Sequence, residues 1–427
     1  MKTTIAVVRA RRVWDSRGRP TLEAEVTLEG GVRGRAIAPA GASRGTREAI
    51  DLRDGGPRLG GFDVENAIAN VAGPIARAVV GLDAVDQAKV DAALIAEDGT
   101  PNKARLGGNA TVAVSLAVAQ AAAAAHGIPL WQHLAAGVPV TLPLPEIQIF
   151  GGGAHAGRRI DIQDLMVIPL AATSFAEALT MTAEVYRVAG ELMREEGKLA
   201  GVADEGGYWP AFDTNEEALA TLTRVIDRAG YMPGDDVAIS LDIAASEFHR
   251  EGRYALARDA CTLDRDGLIA MLLGWLDRYP IVSIEDPLAE DDREGWIALT
   301  HVAGARVQII GDDYLTTSVV RVEAAAGAHA CNAVLIKPNQ AGTVTETLAA
   351  LRAGQRAGFG TIVSARSGET EDTSIVHLAV GWNAGQLKVG SFARGERMAK
   401  WNEALRIEEA LGANARYAGR AALVRSV

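Results

Sequence analysis

The sequence is poor in cysteine and in positive charge. Its 427 residues include two cysteines, Cys261 and Cys331, which lie far apart and in no metal-binding spacing. This usage predicts a reducing cytoplasm as the compartment. Basic residues number 43 against 54 acidic ones, a net charge of −11. Because proteins that bind nucleic acids or membrane surfaces need a cationic surface, we expect neither as a partner.

The sequence also lacks an apolar run that would cross a bilayer. The most apolar stretch, 110–125, is mostly alanine and contains Thr111, Ser115 and Gln120. It is too short and too weakly apolar to span a membrane, so we interpret it as a buried helix, capped by Asn109. A glycine-rich phosphate loop after a first strand is missing as well, which argues against an open doubly wound sheet.

Hydrophobic periodicity divides the chain into two parts. Residues 4–37 alternate as in a small antiparallel sheet, and residues 62–135 have helical spacing. From about residue 140, apolar strands alternate with longer helical stretches, which predicts parallel strands buried on both faces. We therefore expect an α/β protein with an α+β domain at 1–135 and a β/α barrel at 140–427, whose site lies at the carboxyl ends of the strands. The predicted barrel strands include 236–241, 281–284, 307–310, 333–336 and 361–363.

Acidic residues end three consecutive predicted strands. Asp242, Glu285 and Asp312 each follow an apolar run. An all-oxygen ligand set suits a hard cation such as Mg²⁺. For one such residue, a polar strand end is the simpler explanation, since single motifs often match by chance. Three acidic residues at the ends of strands in successive strand–helix units favour a metal site.

Basic residues end the later strands. Lys337 follows 334–336, and Lys388 follows 386–387. A lysine at a strand end is usually solvated, but opposite a dication its pKa would fall and it could act as a general base. Arg366 and Ser367 precede a glycine turn and could clamp an anion, because guanidinium binds phosphate at two points. Such turns are common, so this signal is weak alone.

Several short segments, in the same order along the chain, resemble signatures of the enolase family. They are Asp15-Ser16-Arg17-Gly18, Gly41-Ala42-Ser43, His155-Ala156-Gly157, Asp204-Glu205-Gly206-Gly207, Ser283-Ile284-Glu285-Asp286-Pro287, Lys337 with Asn339-Gln340, and Arg366-Ser367-Gly368-Glu369-Thr370-Glu371-Asp372. The resemblance extends from about residue 10 to Gly412. It implies an N-terminal α+β domain followed by an enolase-type modified β/α (TIM-like) barrel. It also implies dehydration of 2-phosphoglycerate to phosphoenolpyruvate with two Mg²⁺ ions, and a homodimer.

The resemblance further implies roles for individual residues. Lys337 would take the C2 proton, and Glu205 would protonate the departing hydroxyl. The first metal ion would be held by Asp242, Glu285 and Asp312, and the second with help from Ser43 on a mobile loop. The substrate-binding residues would be His155, Gln163, Asp164, Ala365, Arg366, Ser367 and Lys388.

Some positions depart from the family pattern. Ala365 stands in place of a histidine, Ala40 of a serine and Asp164 of a glutamate, while Arg44 and Arg158 replace uncharged residues. We expect these changes to give a roomier and more cationic pocket.

These departures leave three interpretations of function open. The first is a phosphopyruvate hydratase, a carbon–oxygen lyase. The second is an enzyme similar to the carboxyphosphonoenolpyruvate synthases of phosphonate and phosphinate biosynthesis, which join a second anion, phosphonoformate, to a 2-phosphoglycerate-derived enolpyruvate unit. The third is a catalytically silent binding protein, which the intact metal set and both lysines oppose.

Overall fold

The N-terminal part of the chain forms a three-stranded antiparallel sheet covered by helices. The structure, a computed structural model, describes residues 2–424. The strands pair in the order β1-β2-β3, as the alternating pattern predicts. The elements are β1 (Ile5–Trp14), β2 (Pro20–Leu28), β3 (Arg33–Ile37), α1 (Glu65–Asn70), α2 (Ala76–Val79), α3 (Gln87–Asp98), α4 (Gly108–His126) and α5 (Leu130–Ala135).

Helix α4 packs against β2 and β3 at the centre of this part. Contrary to the prediction that the stretch 110–125 is too short and too weakly apolar, the helix is by length and composition able to cross a membrane, but 89% of its most apolar window is buried inside the protein. This confirms the prediction of a buried helix. The prediction that Asn109 caps it is wrong, because the helix begins at Gly108, with Gly107 as the N-cap residue. The Asn109 side chain instead accepts from Leu52 N–H at 3.2 Å and donates to Leu52 O at 3.1 Å, so it holds the preceding loop.

The remainder of the chain alternates strands and helices. In chain order its first half contains β4 (Leu144–Gly151), β5 (Asp164–Pro169), α6 (Phe175–Glu195), β6 (Leu199–Val202), β7 (Tyr208–Pro210), α7 (Asn215–Arg228), β8 (Val237–Asp242), β9 (His249–Arg250), β10 (Arg253–Leu256), β11 (Cys261–Leu263) and α8 (Arg265–Arg278). Its second half contains β12 (Ile281–Glu285), α9 (Arg293–Ala303), β13 (Gln308–Gly311), α10 (Val319–Ala328), β14 (Ala333–Ile336), α11 (Pro338–Ala341), α12 (Val344–Arg356), β15 (Gly360–Ser364), α13 (Ser374–Gly381), β16 (Gly385–Ser391) and α14 (Gly395–Leu411).

Eight of these strands close into a barrel. They pair in the order β4-β5-β8-β12-β13-β14-β15-β16, and β16 pairs back with β4. The five strands predicted from apolar runs are present, with each end within one residue of its predicted position. The fold class is thereby confirmed.

One strand departs from the parallel arrangement. Strand β5 runs antiparallel to both of its neighbours, β4 and β8. The segment 152–163 between β4 and β5 contains a single 3₁₀ turn and no α-helix that could carry the chain back across the barrel. Since a parallel pair needs such a crossover, the chain returns in the opposite direction. The prediction of parallel strands therefore fails for β5.

Candidate active site

The predicted site residues meet at the carboxyl ends of the barrel strands, beneath a loop of the N-terminal part. Ala40 in that loop forms an isolated bridge with Gly368, after β15. The pocket is lined by Gly41, Ser43, His155, Gln163, Asp164, Glu205, Asp242, Lys337, Ala365, Arg366, Ser367 and Lys388, with Ser364 and Val389. Glu285 and Asp312 lie directly behind, bonded to the two lysines. The structure thus brings together all residues that the sequence assigns to the site.

Lys388 is the charged centre of this pocket. Its Nζ donates to Glu285 Oε2 at 2.8 Å and to Asp242 Oδ2 at 3.0 Å, and it lies 3.6 Å from Asp164 Oδ2. Gln163 also donates to Asp242 Oδ2, at 3.0 Å. Burial alone would lower the pKa of Lys388, but Asp242 and Glu285 outweigh it and raise the pKa well above its ordinary value. Lys388 is therefore a fixed positive charge.

Lys337 is held by the carboxylate that ends β13. Its Nζ donates to Asp312 Oδ2, and Gln340 donates to Asp312 Oδ1 at 2.8 Å. From the sequence we expect a lowered pKa for Lys337 opposite a dication. Among the protein's own groups the pKa of Lys337 is raised, because Asp312 outweighs the opposing effect of burial. Lys337 can act as a base only once this pairing is weakened.

Glu285 is the residue that best fits a cation site. It is fully buried, and its Oε1 has no hydrogen-bond partner among the described residues. Burial, and then the nearby Asp242 carboxylate, raise the pKa of Glu285 well above its usual range. A hard dication would stabilise the ionised form, and an all-oxygen donor set is the one that Mg²⁺ prefers. The residues present therefore fit magnesium.

The carboxylate oxygens of Asp242, Glu285 and Asp312, the three predicted metal ligands, do not lie as close together as the ligand atoms of two other groups nearby. Lys388 lies between Asp242 and Glu285, and Lys337 contacts Asp312. Within residues 2–424, ligand atoms lie within 4.8 Å of one another in two other sets, His155 with Asp164 and Glu205, and Asp286 with Asp312 and Asp313. Asp286 accepts from the backbone N–H groups of Asp312 and Asp313 at 2.9 and 2.8 Å, so it fixes the end of β13.

His155 joins the second predicted catalytic residue to Asp164. Its Nδ1 lies 2.9 Å from Asp164 Oδ1, and its Nε2 lies 3.8 Å from Glu205 Oε1. Although burial opposes the charged imidazole, Asp164 and Glu205 raise the pKa of His155 to about 9. Burial likewise opposes the carboxylate of Asp164, yet His155 lowers its pKa to about 2. At neutral pH the two form an ion pair beside Glu205.

Arg366 connects the barrel to the N-terminal loop. Its NH1 donates to Glu48 Oε2 at 2.9 Å, and its NH2 donates to Glu48 Oε1 at 3.2 Å and to Ser43 O at 3.0 Å. Ser367 Oγ accepts from a backbone N–H of the same loop at 2.6 Å. The loop approaches so closely that a side chain at Gly41 would overlap the Arg366 guanidinium. This position therefore requires glycine.

Sequence reasoning missed the buried groups that support the site. Gln148 on β4 donates to Asp164 Oδ1 and accepts from Gly207 N–H at 2.8 Å, which ties Asp164 to the segment that carries Glu205. Arg397 on α14 donates to the backbone oxygens that follow β15, at 2.8 and 2.6 Å. Glu48 gave no local signal, because its role depends on a partner 318 residues away.

The prediction of a more cationic pocket is wrong for the two arginines on which it rests, whereas the prediction of a roomier pocket stays a prediction. Arg158 is exposed and pairs with Glu247 at 2.8 Å, and the exposed Arg44 lies 3.9 Å from Asp51, so neither lines the pocket. The side chains enclose about 20 Å³, room for about one water molecule. The lysines and carboxylates fill the space through their ion pairs.

Comparison with known proteins decides the family. Residues 5–134 match the family model "Enolase, N-terminal domain", and residues 139–426 match "Enolase, C-terminal TIM barrel domain". The chain is also 49% identical over 416 residues to Enolase 1 of Desulfitobacterium hafniense (strain Y51), covering 97% of this chain and 95% of that protein. This chain belongs to the enolase family. As an enolase-family member it is a hydro-lyase. The comparisons give no support to the synthase-like interpretation.

Proposed function

We propose that this chain dehydrates 2-phosphoglycerate to phosphoenolpyruvate with Mg²⁺ as cofactor. The observation that carries the proposal is the convergence of Lys337 and Lys388 with the strand-end carboxylates and Arg366 in one buried pocket. The identity to a protein named Enolase 1 supports it independently.

The two proton transfers fall to two different residues that line the pocket. Lys337 Nζ, when deprotonated, takes the proton from C2 of the substrate. Glu205 then gives a proton to the C3 hydroxyl, which leaves as water while the C2–C3 double bond forms. His155, held as a cation by Asp164, lies next to Glu205, with its Nε2 3.8 Å from Glu205 Oε1, and so helps to position that side chain.

Binding of the substrate falls to the remaining charged groups. Lys388 and Gln163 would bind the carboxylate, and Arg366 with Ser367 would bind the phosphate. Because the enclosed space is small, Lys388 must give up its hydrogen bond to Asp242 in order to bind the substrate carboxylate.

Magnesium has a defined place in this proposal. Asp242, Glu285 and Asp312 would hold one ion, and Ser43 would help to hold a second together with the substrate. Bound there, Mg²⁺ supplies positive charge that stabilises the negative charge developing on the substrate carboxylate.

The test is an assay of 2-phosphoglycerate with Mg²⁺, with and without phosphonoformate, in which products are identified by ³¹P NMR. We expect phosphoenolpyruvate in both cases, and its loss in Lys337→Ala but not in Lys89→Ala, an exposed lysine of α3. A phosphonoformate-dependent product, in which the phosphonate is joined to the enolpyruvate unit, would contradict the proposal, and so would equal turnover by both variants.

We also propose a cytoplasmic homodimer. The family supports the dimer, and the unpaired state of Cys261 and Cys331 agrees with a reducing compartment. Light scattering at micromolar concentration is expected to give twice the chain mass, and a monomer would refute the dimer.

A further inference from the structure

A second cleft lies on the rim of the barrel, outside the pocket described above. It has a volume of about 410 Å³, within the range of small-molecule sites. Three arginines line it, from the N-terminal loop (Arg47), the start of α9 (Arg293) and the first turn of α10 (Arg321). Tyr314 lines it as well, and its ring stacks on Trp296 with centroids 4.4 Å apart. The cleft therefore has a rigid aromatic wall and three guanidinium groups.

Glu290 lies near Arg321, but none of the three arginines is directly paired with a carboxylate in the part of the chain that the structure describes. Among residues 2–424, no ion pair or side-chain hydrogen bond involves Arg47, Arg293 or Arg321. The NH1 group of Arg321 is buried and has no hydrogen-bond partner. Burial, and then the nearby Arg47, lower the pKa of Arg321. Leaving a buried charged donor unpaired costs free energy, which a bound anion would recover.

Two carboxylates also line the cleft. Glu290 accepts from Thr46 N–H at 3.2 Å, so it is engaged with the N-terminal loop, and Asp291 is exposed. Three guanidinium groups against these two carboxylates leave one positive charge in excess.

We propose that this cleft binds a small phosphate-bearing molecule through Arg47, Arg293 and Arg321. Guanidinium groups match phosphate oxygens at two points each, and Arg321 carries a buried donor without a partner. The site is separate from the phosphate contacts assigned to Arg366.

Hydrogen–deuterium exchange can distinguish the two sites, since each lies on its own peptides. The Mg²⁺-loaded protein is measured with increasing inorganic phosphate at constant ionic strength. We expect protection of peptides covering 314–325 in the wild type. In Arg321→Gln and Arg47→Gln, the phosphate concentration for half-maximal protection should rise about tenfold or more, as for loss of a charged hydrogen bond. Arg356→Gln, an exposed arginine 3.6 Å from Glu323, is the matched control and should behave as the wild type.

Two results would overturn the proposal. One is the absence of phosphate-dependent protection at 314–325 in the wild type. The other is the same phosphate concentration for half-maximal protection in Arg321→Gln, Arg47→Gln and the Arg356→Gln control. Turnover of 2-phosphoglycerate without added phosphate should be unchanged in Arg321→Gln. Failure of this proposal and failure of the dehydratase assignment are therefore separate outcomes.

Discussion

Truncation of Glu48 to alanine should damage both stability and substrate binding. The Glu48 and Arg366 side chains are 5% and 3% exposed and are joined by two hydrogen bonds. Removing one partner leaves the other charge buried and uncompensated, which typically costs about 3–5 kcal/mol. Glu48 also accepts from Gly45 N–H at 3.0 Å and from Gln340 at 3.2 Å, so these bonds are lost as well. We expect the free energy of unfolding to fall by an amount in that range.

The same change should loosen the proposed phosphate contact. Without Glu48, the Arg366 guanidinium keeps only its bond to Ser43 O in the N-terminal loop. Because Glu48 does not line the pocket, KM for 2-phosphoglycerate should rise more than kcat falls. Glu48→Gln keeps the shape and one acceptor, so its loss of stability should be smaller, about 1–3 kcal/mol.

Urea unfolding followed by tryptophan fluorescence, together with steady-state kinetics, measures both effects. The control is Glu97→Ala, which breaks an exposed pair with Arg105 at 3.0 Å and should cost about 1 kcal/mol or less. If Glu48→Ala unfolds at the same urea concentration as Glu97→Ala, the buried pair does not stabilise the fold. If KM is unchanged, Arg366 does not depend on Glu48 for its position.

Three further predictions concern the pocket. Lys337→Ala should abolish exchange of the substrate's C2 proton in D₂O, measured by NMR, while magnesium binding stays nearly intact. If the variant exchanges this proton at the wild-type rate, the base is another group. Asp312→Asn and Glu285→Gln should lose most activity and regain part of it at high Mg²⁺, whereas full wild-type activity in chelator would exclude the metal mechanism. The pKa of His155 is raised from 6.5 to about 9, so its stabilising pairing with Asp164 is complete below pH 6.5 and is lost as the pH rises through 9. Between pH 6.5 and 9 the metal-free wild type should lose roughly 3 kcal/mol more unfolding free energy than metal-free His155→Gln, as measured by urea unfolding. If the unfolding free energies of the two proteins change with pH in the same way, the ion pair is refuted.

The sequence alone determined the features that depend on local patterns. The apolar runs that became β8, β12, β13, β14 and β15 were recognisable because a buried strand is apolar over a few consecutive residues. The residue that ends such a strand is also a local property, so Asp242, Glu285 and Lys337 could be assigned to one end of the barrel before its closure was known. Short segments that resemble enolase signatures, and occur in the same order along the chain, then indicated the fold and the chemistry.

Only the tertiary structure decided which distant groups meet and which way side chains point. Asn109 has the residue type of a cap, yet it bonds to the loop at Leu52, because a neighbouring segment offers it two partners. Arg158 follows a pocket residue closely in sequence, yet it pairs with Glu247 at the surface. Strand β5 runs antiparallel because no helix lies in the connection before it. For Asn109 and Arg158 the decisive contacts join segments far apart in the chain, and local sequence patterns do not encode those contacts.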